Sequence, residues 1–298
     1  MTNLIDGKLV AESIFKSINE ERIQLEKNGL PKPGLAVVLV GENPASKVYV
    51  ARKQKACEQC GFYSKLVHLE ASTTQTKLLQ IISDLNHDSK IHGILVQSPL
   101  PGHIDEDAVF QSISVFKDAD SFHPENVGLL LQGNPRFAPC TPAGIIELLR
   151  FYEIKTQGKH VVIIGRSNIV GKPLSALLIQ KGEYADATVT ILHSKSKNIP
   201  TFCQQADILI AAIGNPLFVK ESWVKPGAVV IDVGINRVED SKSKSGYKLV
   251  GDVDYDSISH KTSWITPVPG GVGPMTIAML LRNTLNSAKI SKSVSKQH

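Results

Sequence analysis

The run Val161-Val-Ile-Ile-Gly-Arg-Ser-Asn-Ile-Val-Gly-Lys-Pro173 constrains the fold of this chain more than any other stretch. Its first four residues are apolar and of strand length, and Gly165 marks a tight turn. Gly171 and Pro173 stand where a helix begins, since proline is tolerated in a first helical turn. A strand, a glycine turn and a helix N-terminus together make an anion site, because amide N–H groups point outward there and the helix dipole favours negative charge. The spacing is not G-x-G-x-x-G, so by itself the run fits either a nucleotide site or an ordinary turn of an α/β sheet.

The alternation of strand and helix recurs around it. Strands are expected at Val161–Ile164, Thr188–Leu192, Ile208–Ala212 and Val229–Val233, with helices between them. That order argues a doubly wound parallel sheet with ligands at the carboxyl ends of its strands. The N-terminal half follows the same logic. Val10, Ile14, Ile18 and Leu25 form one helical stripe between Lys8 and Asn28, and Leu35–Val40 is a continuous apolar strand. Asn43-Pro44 reads as an N-cap and first helical position, with the helix running to about Cys60 and Gly61 as its stop. Beyond it the pattern predicts a strand at Lys65–Leu69, a helix at Thr74–His87, a strand at Ile91–Gln97 and a short helix at Asp105–Ile113. Lys117–Cys140, with three prolines, reads as one long irregular piece. Thr141-Pro142 opens a helix through Tyr152 that bridges to a second domain. Ser241–Gly246 reads as a solvated loop, Ile265–Pro274 as a rigid Pro/Gly segment and Met275–Ala288 as a final helix, with disorder expected after Ile290.

The totals exclude several function classes. A net charge of +5 over 298 residues is modest and scattered, which suits anionic small substrates and does not call for nucleic acid. No apolar stretch approaches the ~20 residues that span a bilayer, so no membrane partner is expected. Met1–Lys8 lacks a basic region followed by an apolar run, and the four cysteines (Cys57, Cys60, Cys140, Cys203) are too few for a disulfide scaffold. A reducing cytoplasm is the expectation. Cys57-Glu-Gln-Cys60 lacks the second ligand pair that zinc requires, and it closes a helix where a redox pair would open one. No metal is expected.

Tyr49 and Lys53 lie four apart and face the same way on the expected helix, above the small residues Ala56 and Cys57. A lysine on such a face loses hydration, which lowers its pKa and suits it to proton transfer; spacing alone equally fits one lysine among the solvated basic residues Lys47, Arg52 and Lys55. Gln97 at a strand end and Asp118 and Asp120 in the irregular piece are open between orienting a ligand and capping or solvating the chain. In the second domain an NAD site would place an acid near the end of the second strand. Here that strand ends His193-Ser194-Lys195, and Arg166 follows the glycine turn. A cation and a hydroxyl in place of the acid suit a 2′-phosphate, hence NADP, or else a solvated basic loop.

Several motifs in order then carry a resemblance. Val40-Gly-Glu-Asn-Pro-Ala-Ser-Lys-Val-Tyr49-Val-Ala-Arg-Lys53 and Pro267-Val-Pro-Gly-Gly-Val-Gly-Pro-Met-Thr276 stand at its ends. Between them come Val96-Gln97, Lys117-Asp-Ala-Asp120, Pro139-Cys-Thr-Pro142, Gly165-Arg-Ser167 and Val233-Gly-Ile-Asn236. In these the chain closely resembles the bifunctional methylenetetrahydrofolate dehydrogenase/methenyltetrahydrofolate cyclohydrolase family. The resemblance implies two α/β domains with a cleft between them: an N-terminal folate-binding catalytic domain of residues 1–140 with 275–298, whose last helix returns to it, and a Rossmann-like NADP-binding domain of residues 141–274. It implies oxidation of methylene-tetrahydrofolate with NADP+ and hydrolysis of the methenyl product to 10-formyl-tetrahydrofolate, in one-carbon metabolism, by a homodimer. Lys53 would shuttle a proton in ring opening, Gln97 would hold the lysine, Tyr49 would stack on the folate, and Asp120 would accept from the pterin's amino-pyrimidine edge. Val50, Ala51, Arg52, Val96 and Ser98 would complete the substrate site with Pro269, Gly270, Gly271, Val272 and Gly273, whose glycines let backbone approach the ligand. Arg166, Ser167 and Ser194 would hold the NADP phosphate, with Thr141, Gly165, Gly214, Ile235 and Thr276 also against the cofactor. Ser98 stands where the family usually has leucine, and Ser121 where it usually has glycine.

Overall fold

A computed structural model describes residues 2–241, 243 and 246–295. Much of the polar loop expected at Ser241–Gly246, and the tail Lys296–His298, lie outside the described residues. The chain divides into two compact units, Met1–Ala11 with Thr141–Thr276, and Glu12–Cys140 with Ile277–His298. The division falls within the first helix, α1 (Gly7–Lys27), and within the last, α10 (Val272–Ser295).

The unit containing Glu12–Cys140 is built on a parallel sheet ordered β3 (Tyr63–Leu69), β2 (Gly34–Val40), β4 (Gly93–Val96), preceded in chain order by the two-residue β1 (Asn3–Leu4) of the other unit. All seven residues of β2 are buried, as a central strand covered on both faces must be. Between the strands run α2 (Pro44–Gln59) and α3 (Gln75–His87). Asn43 caps α2 by accepting from the Ala45 and Ser46 amides, and Thr74 caps α3 through the Lys77 amide. Leu78 and Ile82 of α3 pack with Ala36 and Val38 of β2 and Ile94 and Val96 of β4. Each fully buried Leu or Ile there contributes about 2 kcal/mol of transfer free energy.

The stretch 117–140 is not uniformly irregular. After α4 (Glu106–Ser112), capped by Asp105, it carries α5 (Pro124–Leu131). His123 accepts from the Glu125 amide and Pro124 fills the first helical position, so the start signals were local; Gly128 and the flanking prolines obscured them.

In the other unit α6 (Cys140–Phe151) leads into β5 (His160–Ile164), α7 (Gly171–Leu178), β6 (Thr188–Leu192), α8 (Ile199–Cys203), β7 (Ile208–Ala211) and β8 (Val229–Asp232). A hairpin of β9 (Asn236–Glu239) and β10 (Tyr247–Val250), the short α9 (Tyr255–Ile258) and β11 (Trp264–Ile265) complete it. The sheet is parallel, in the order β1, β11, β8, β7, β5, β6. Ile164, Leu209 and Val230 form its buried core with Cys203 and Ile265. Met1–Ala11 belongs here and not with residues 12–140 as the sequence suggested, because Asn3 and Leu4 pair with Trp264 and Ile265. Two-residue strands carry no readable period, so only the pairing places them. The last helix also continues past Ile290, to Ser295, where disorder was expected.

Candidate active site

In the unit of Glu12–Cys140, helix α2 puts Tyr49 and Lys53 on one face. Lys53 is only 8% exposed, and its ammonium donates to Gln97 Oε1 at 2.9 Å. Gln97 follows β4, and its own amide donates to the Ser98 carbonyl at 2.7 Å, which fixes the side chain from both ends. Ser98 thus contributes through its backbone while its side chain is exposed, so leucine and serine serve that contact alike. Burial pushes the Lys53 pKa down, against the opposing pull of Asp120 and Cys140. Burial pushes the Asp120 carboxyl up, opposed by the Lys53 ammonium and a hydrogen bond from the Cys140 thiol. Around one amine there are thus an amide acceptor, a carboxyl group and a thiol. Such a lysine exchanges a proton far more readily than a solvated one.

Asp120 is held from below by Asp118, which the sequence left open between orienting a ligand and solvating the chain, and by Asn283, which the sequence did not single out. Asp118 accepts from the amides of Phe122 at 3.1 Å and His123 at 2.8 Å, and from Asn126 Nδ2 at 2.8 Å, which tightens the turn carrying Asp120. Asn283 of α10 donates to the Ala119 carbonyl at 2.9 Å and the Ala138 carbonyl at 2.8 Å. Ser121 has φ +61°, the left-handed region that favours glycine, and is fully buried. Its hydroxyl donates to the Phe137 carbonyl at 2.9 Å, which offsets the backbone strain and explains how serine occupies a glycine position. Of the other expected substrate residues here, Val50 and Val96 are buried and Ala51 and Arg52 are exposed on α2. The Cys57 and Cys60 thiols are buried and pushed up to about 12 and about 11, mainly by burial, which leaves them inert and structural. Among the described residues no group of three or more His, Cys, Asp or Glu could hold a metal ion.

The other unit carries the glycine turn. Gly165 has φ +131°, and a Cβ there would lie 2.1 Å from the Ala212 carbonyl oxygen; a Cβ at Gly171 would lie 2.1 Å from the Gly165 carbonyl oxygen. Both glycines are therefore steric requirements of strand and helix meeting this closely. Ser167 Oγ accepts from the Val170 amide and Ser167 O from the Lys172 amide, so this residue shapes the loop into α7. Pairing of Ile164 with Leu192 brings the ends of β5 and β6 side by side, with Arg166, Ser167, Ser194 and Lys195 all exposed there. No acid stands between Leu192 and Asp207. Thr141 and Thr276 share a hydrogen bond of 2.9 Å between hydroxyls. A Cβ at Gly273 would lie 3.3 Å from Ile235 Cδ1, so the VGIN loop and the final glycine segment are neighbours. Gly270 has φ +113°, Gly271 is buried with its amide on the Pro267 carbonyl, and Val272 opens α10. Pro269 and Gly214 are exposed.

These two sets of residues coincide with two family models. Residues 5–120 match the tetrahydrofolate dehydrogenase/cyclohydrolase catalytic domain, and residues 139–292 match its NAD(P)-binding domain. The chain belongs to the tetrahydrofolate dehydrogenase/cyclohydrolase family. Among curated relatives, the bifunctional protein FolD of Chlorobium phaeobacteroides is 55% identical over 95% of this chain and 96% of its own. The FolD of Bacteroides thetaiotaomicron is 52% identical over 96% and 98%. Among solved structures, the bifunctional FolD methylenetetrahydrofolate dehydrogenase/cyclohydrolase of Campylobacter jejuni matches with a TM-score of 0.91 at 49% identity, covering 98% of this chain and 100% of that one. That of Trypanosoma brucei, complexed with NADP and an inhibitor, matches with a TM-score of 0.93 at 42% identity, with 98% of each chain covered. For this family chain, then, the α/β fold read from strand–helix alternation stands. Among the described residues no helix is long and apolar enough to cross a membrane.

Proposed function

We propose that the chain is a bifunctional enzyme that oxidises 5,10-methylenetetrahydrofolate with NADP+ and hydrolyses the resulting 5,10-methenyltetrahydrofolate to 10-formyltetrahydrofolate. The observation that carries the reading is the buried Lys53 amine, held on Gln97 beside Asp120. Hydrolysis needs a proton taken from the attacking water and one delivered to the ring nitrogen that leaves. An amine whose pKa burial has lowered does both in turn. Gln97 aims it, Asp120 accepts from the amino-pyrimidine edge of the pterin, and Tyr49 stacks against the ring. Val50, Val96 and the Ser98 backbone frame that pocket within the same unit, and Pro269–Gly273 of the other unit are assigned to substrate binding by the family likeness alone.

The residues of the other unit fit NADP. The crowded glycines at 165 and 171 form a cradle that a Cβ would fill, and the cations and hydroxyls at the ends of β5 and β6 replace the acid expected for an unphosphorylated ribose. Arg166, Ser167 and Ser194 hold the phosphate, Ile235 and Gly214 line the pocket, and Thr141 and Thr276 brace it through their shared hydrogen bond. When bound, the nicotinamide supplies hydride acceptance; the protein's part is to bind and orient. The family likeness further supports a homodimer working in the cytoplasm, which a monomer in sedimentation equilibrium would contradict.

The test is Lys53→Met. The expected outcome is loss of methenyl-tetrahydrofolate hydrolysis with NADPH binding kept; undiminished hydrolysis would remove Lys53 from the mechanism.

A further inference from the structure

Two aspartates of the Rossmann-like unit lie outside this machinery and are both buried: Asp232 at the end of β8 is 3% exposed, and Asp252 just after β10 is 0% exposed. Asp232 Oδ1 accepts from the amides of Gly234 at 3.0 Å and Asp252 at 2.9 Å, and its Oδ2 from Val253 at 3.0 Å. Asp252 Oδ2 accepts from the amides of Ile213 at 2.8 Å and Gly214 at 2.9 Å, and its Oδ1 from Asn236 Nδ2 at 2.8 Å. The two side chains interlock. A Cβ at Gly234 would sit 2.2 Å from Asp252 Oδ1, and one at Gly251 would sit 1.7 Å from Asp232 Oδ2. Glycine at both positions is what lets the carboxylates reach the backbone.

Burying a carboxyl group is unfavourable unless its oxygens are satisfied, and these meet six donors from three segments. Asp252 ties the loop after β7, through Ile213 and Gly214, to Asn236, the first residue of β9 and the end of the loop that follows β8. Those loops carry Gly214 and Ile235.

We infer that Asp252 is a positioning residue for the cofactor, its carboxylate fixing the two loops at the carboxyl ends of β7 and β8 in the arrangement that receives the dinucleotide. The inference rests on the assignment of Gly214 and Ile235 to the cofactor pocket.

The test uses the full-length protein. In Asp252→Ala, amide hydrogen exchange at Ile213 and Gly214 speeds up in the absence of cofactor. The NADPH dissociation constant, read by fluorescence titration, rises roughly tenfold or more, as for loss of hydrogen bonds to a charged group. Cyclohydrolase activity stays within about twofold, which general loss of folding would not allow. Asp252→Asn rescues most of the binding, because its amide oxygen still accepts from Ile213 and Gly214 while Asn236 can turn its own oxygen toward the new NH2. Should Asp252→Ala fail to fold, Asn236→Ala carries the test: it unties only the loop after β8, and weaker NADPH binding with unchanged exchange at Ile213 and Gly214 is expected. Fast exchange with unaltered NADPH affinity overturns the inference, and so does equal loss of both activities. Arg166→Ala separates the two levels. Weakened NADPH binding there, with none in Asp252→Ala, sinks only the positioning role; unchanged binding in Arg166→Ala sinks the cofactor assignment and this inference with it.

Discussion

The Lys53 ammonium and Gln97 Oε1 lie 2.9 Å apart although 44 residues separate them in the chain. Their contact places a titratable amine at the carboxyl end of β4, where burial makes it a poorer holder of its proton. Lys53→Arg keeps the positive charge and the hydrogen bond but cannot release a proton. The expected outcome is hydrolysis reduced by roughly 100-fold or more, the scale of a lost general acid–base. Because the folded pKa lies below 10.5, the wild-type rate should climb with pH through that lowered pKa as the neutral amine appears, and the climb should vanish in Lys53→Arg. A pH–rate profile of both forms checks this.

Ser121 allows a stability prediction that a core serine would not. Ser121→Gly relieves the φ of +61° but loses the hydroxyl's bond to Phe137, and these oppose each other, so the change should stay within about 1 kcal/mol. Ser121→Val keeps the strain, adds branching and loses the bond, and should destabilise by roughly 3 kcal/mol. Urea unfolding midpoints distinguish the two.

Asp232 gives the fold a pH signature. Burial, reinforced by the nearby Asp252 carboxylate, raises its pKa from 3.8 to about 7, against the pull of three accepted amide hydrogen bonds. Between these values the folded protein holds a proton that the unfolded chain releases, so stability falls as pH rises from 3.8 to about 7 and is level above it. This group's share of the slope is about 1.4 kcal/mol per pH unit. Asp232→Asn lowers stability overall but should remove that share, and denaturation at several pH values across the window reads the difference in slope.

Asn283→Leu removes the donor to the buried Ala119 carbonyl and the part-buried Ala138 carbonyl and leaves both acceptors to relax. A loss of roughly 2–4 kcal/mol in stability is expected. Because Ala119 precedes Asp120, the KM for the folate substrate should rise in both activities while NADPH affinity holds. Steady-state kinetics beside an NADPH titration settle it.

Much of this was legible locally. Asn43-Pro44, Thr74 and Asp105 announced helix starts because a cap acts within three residues of itself, and β2 and β5 were visible as unbroken apolar runs. The hairpin β9–β10 escaped because four-residue strands separated by a polar loop give too short a period, and α5 because its glycine and flanking prolines masked a sound cap. Tyr49, Lys53, Gln97 and Asp120 were named from motifs, yet spacing left Lys53 indistinguishable from its solvated neighbours Arg52 and Lys55. The chain alone determined the alternating α/β elements and the family, since both live in residue order and short-range chemistry. Only the tertiary structure decided that Lys53 is buried against Gln97, that Asn283 braces Asp120 from the far end of the chain, and that Asp232 and Asp252 interlock. Burial and hydrogen-bond partnership are properties of what surrounds a side chain, and those surroundings come from segments with no fixed spacing in the sequence.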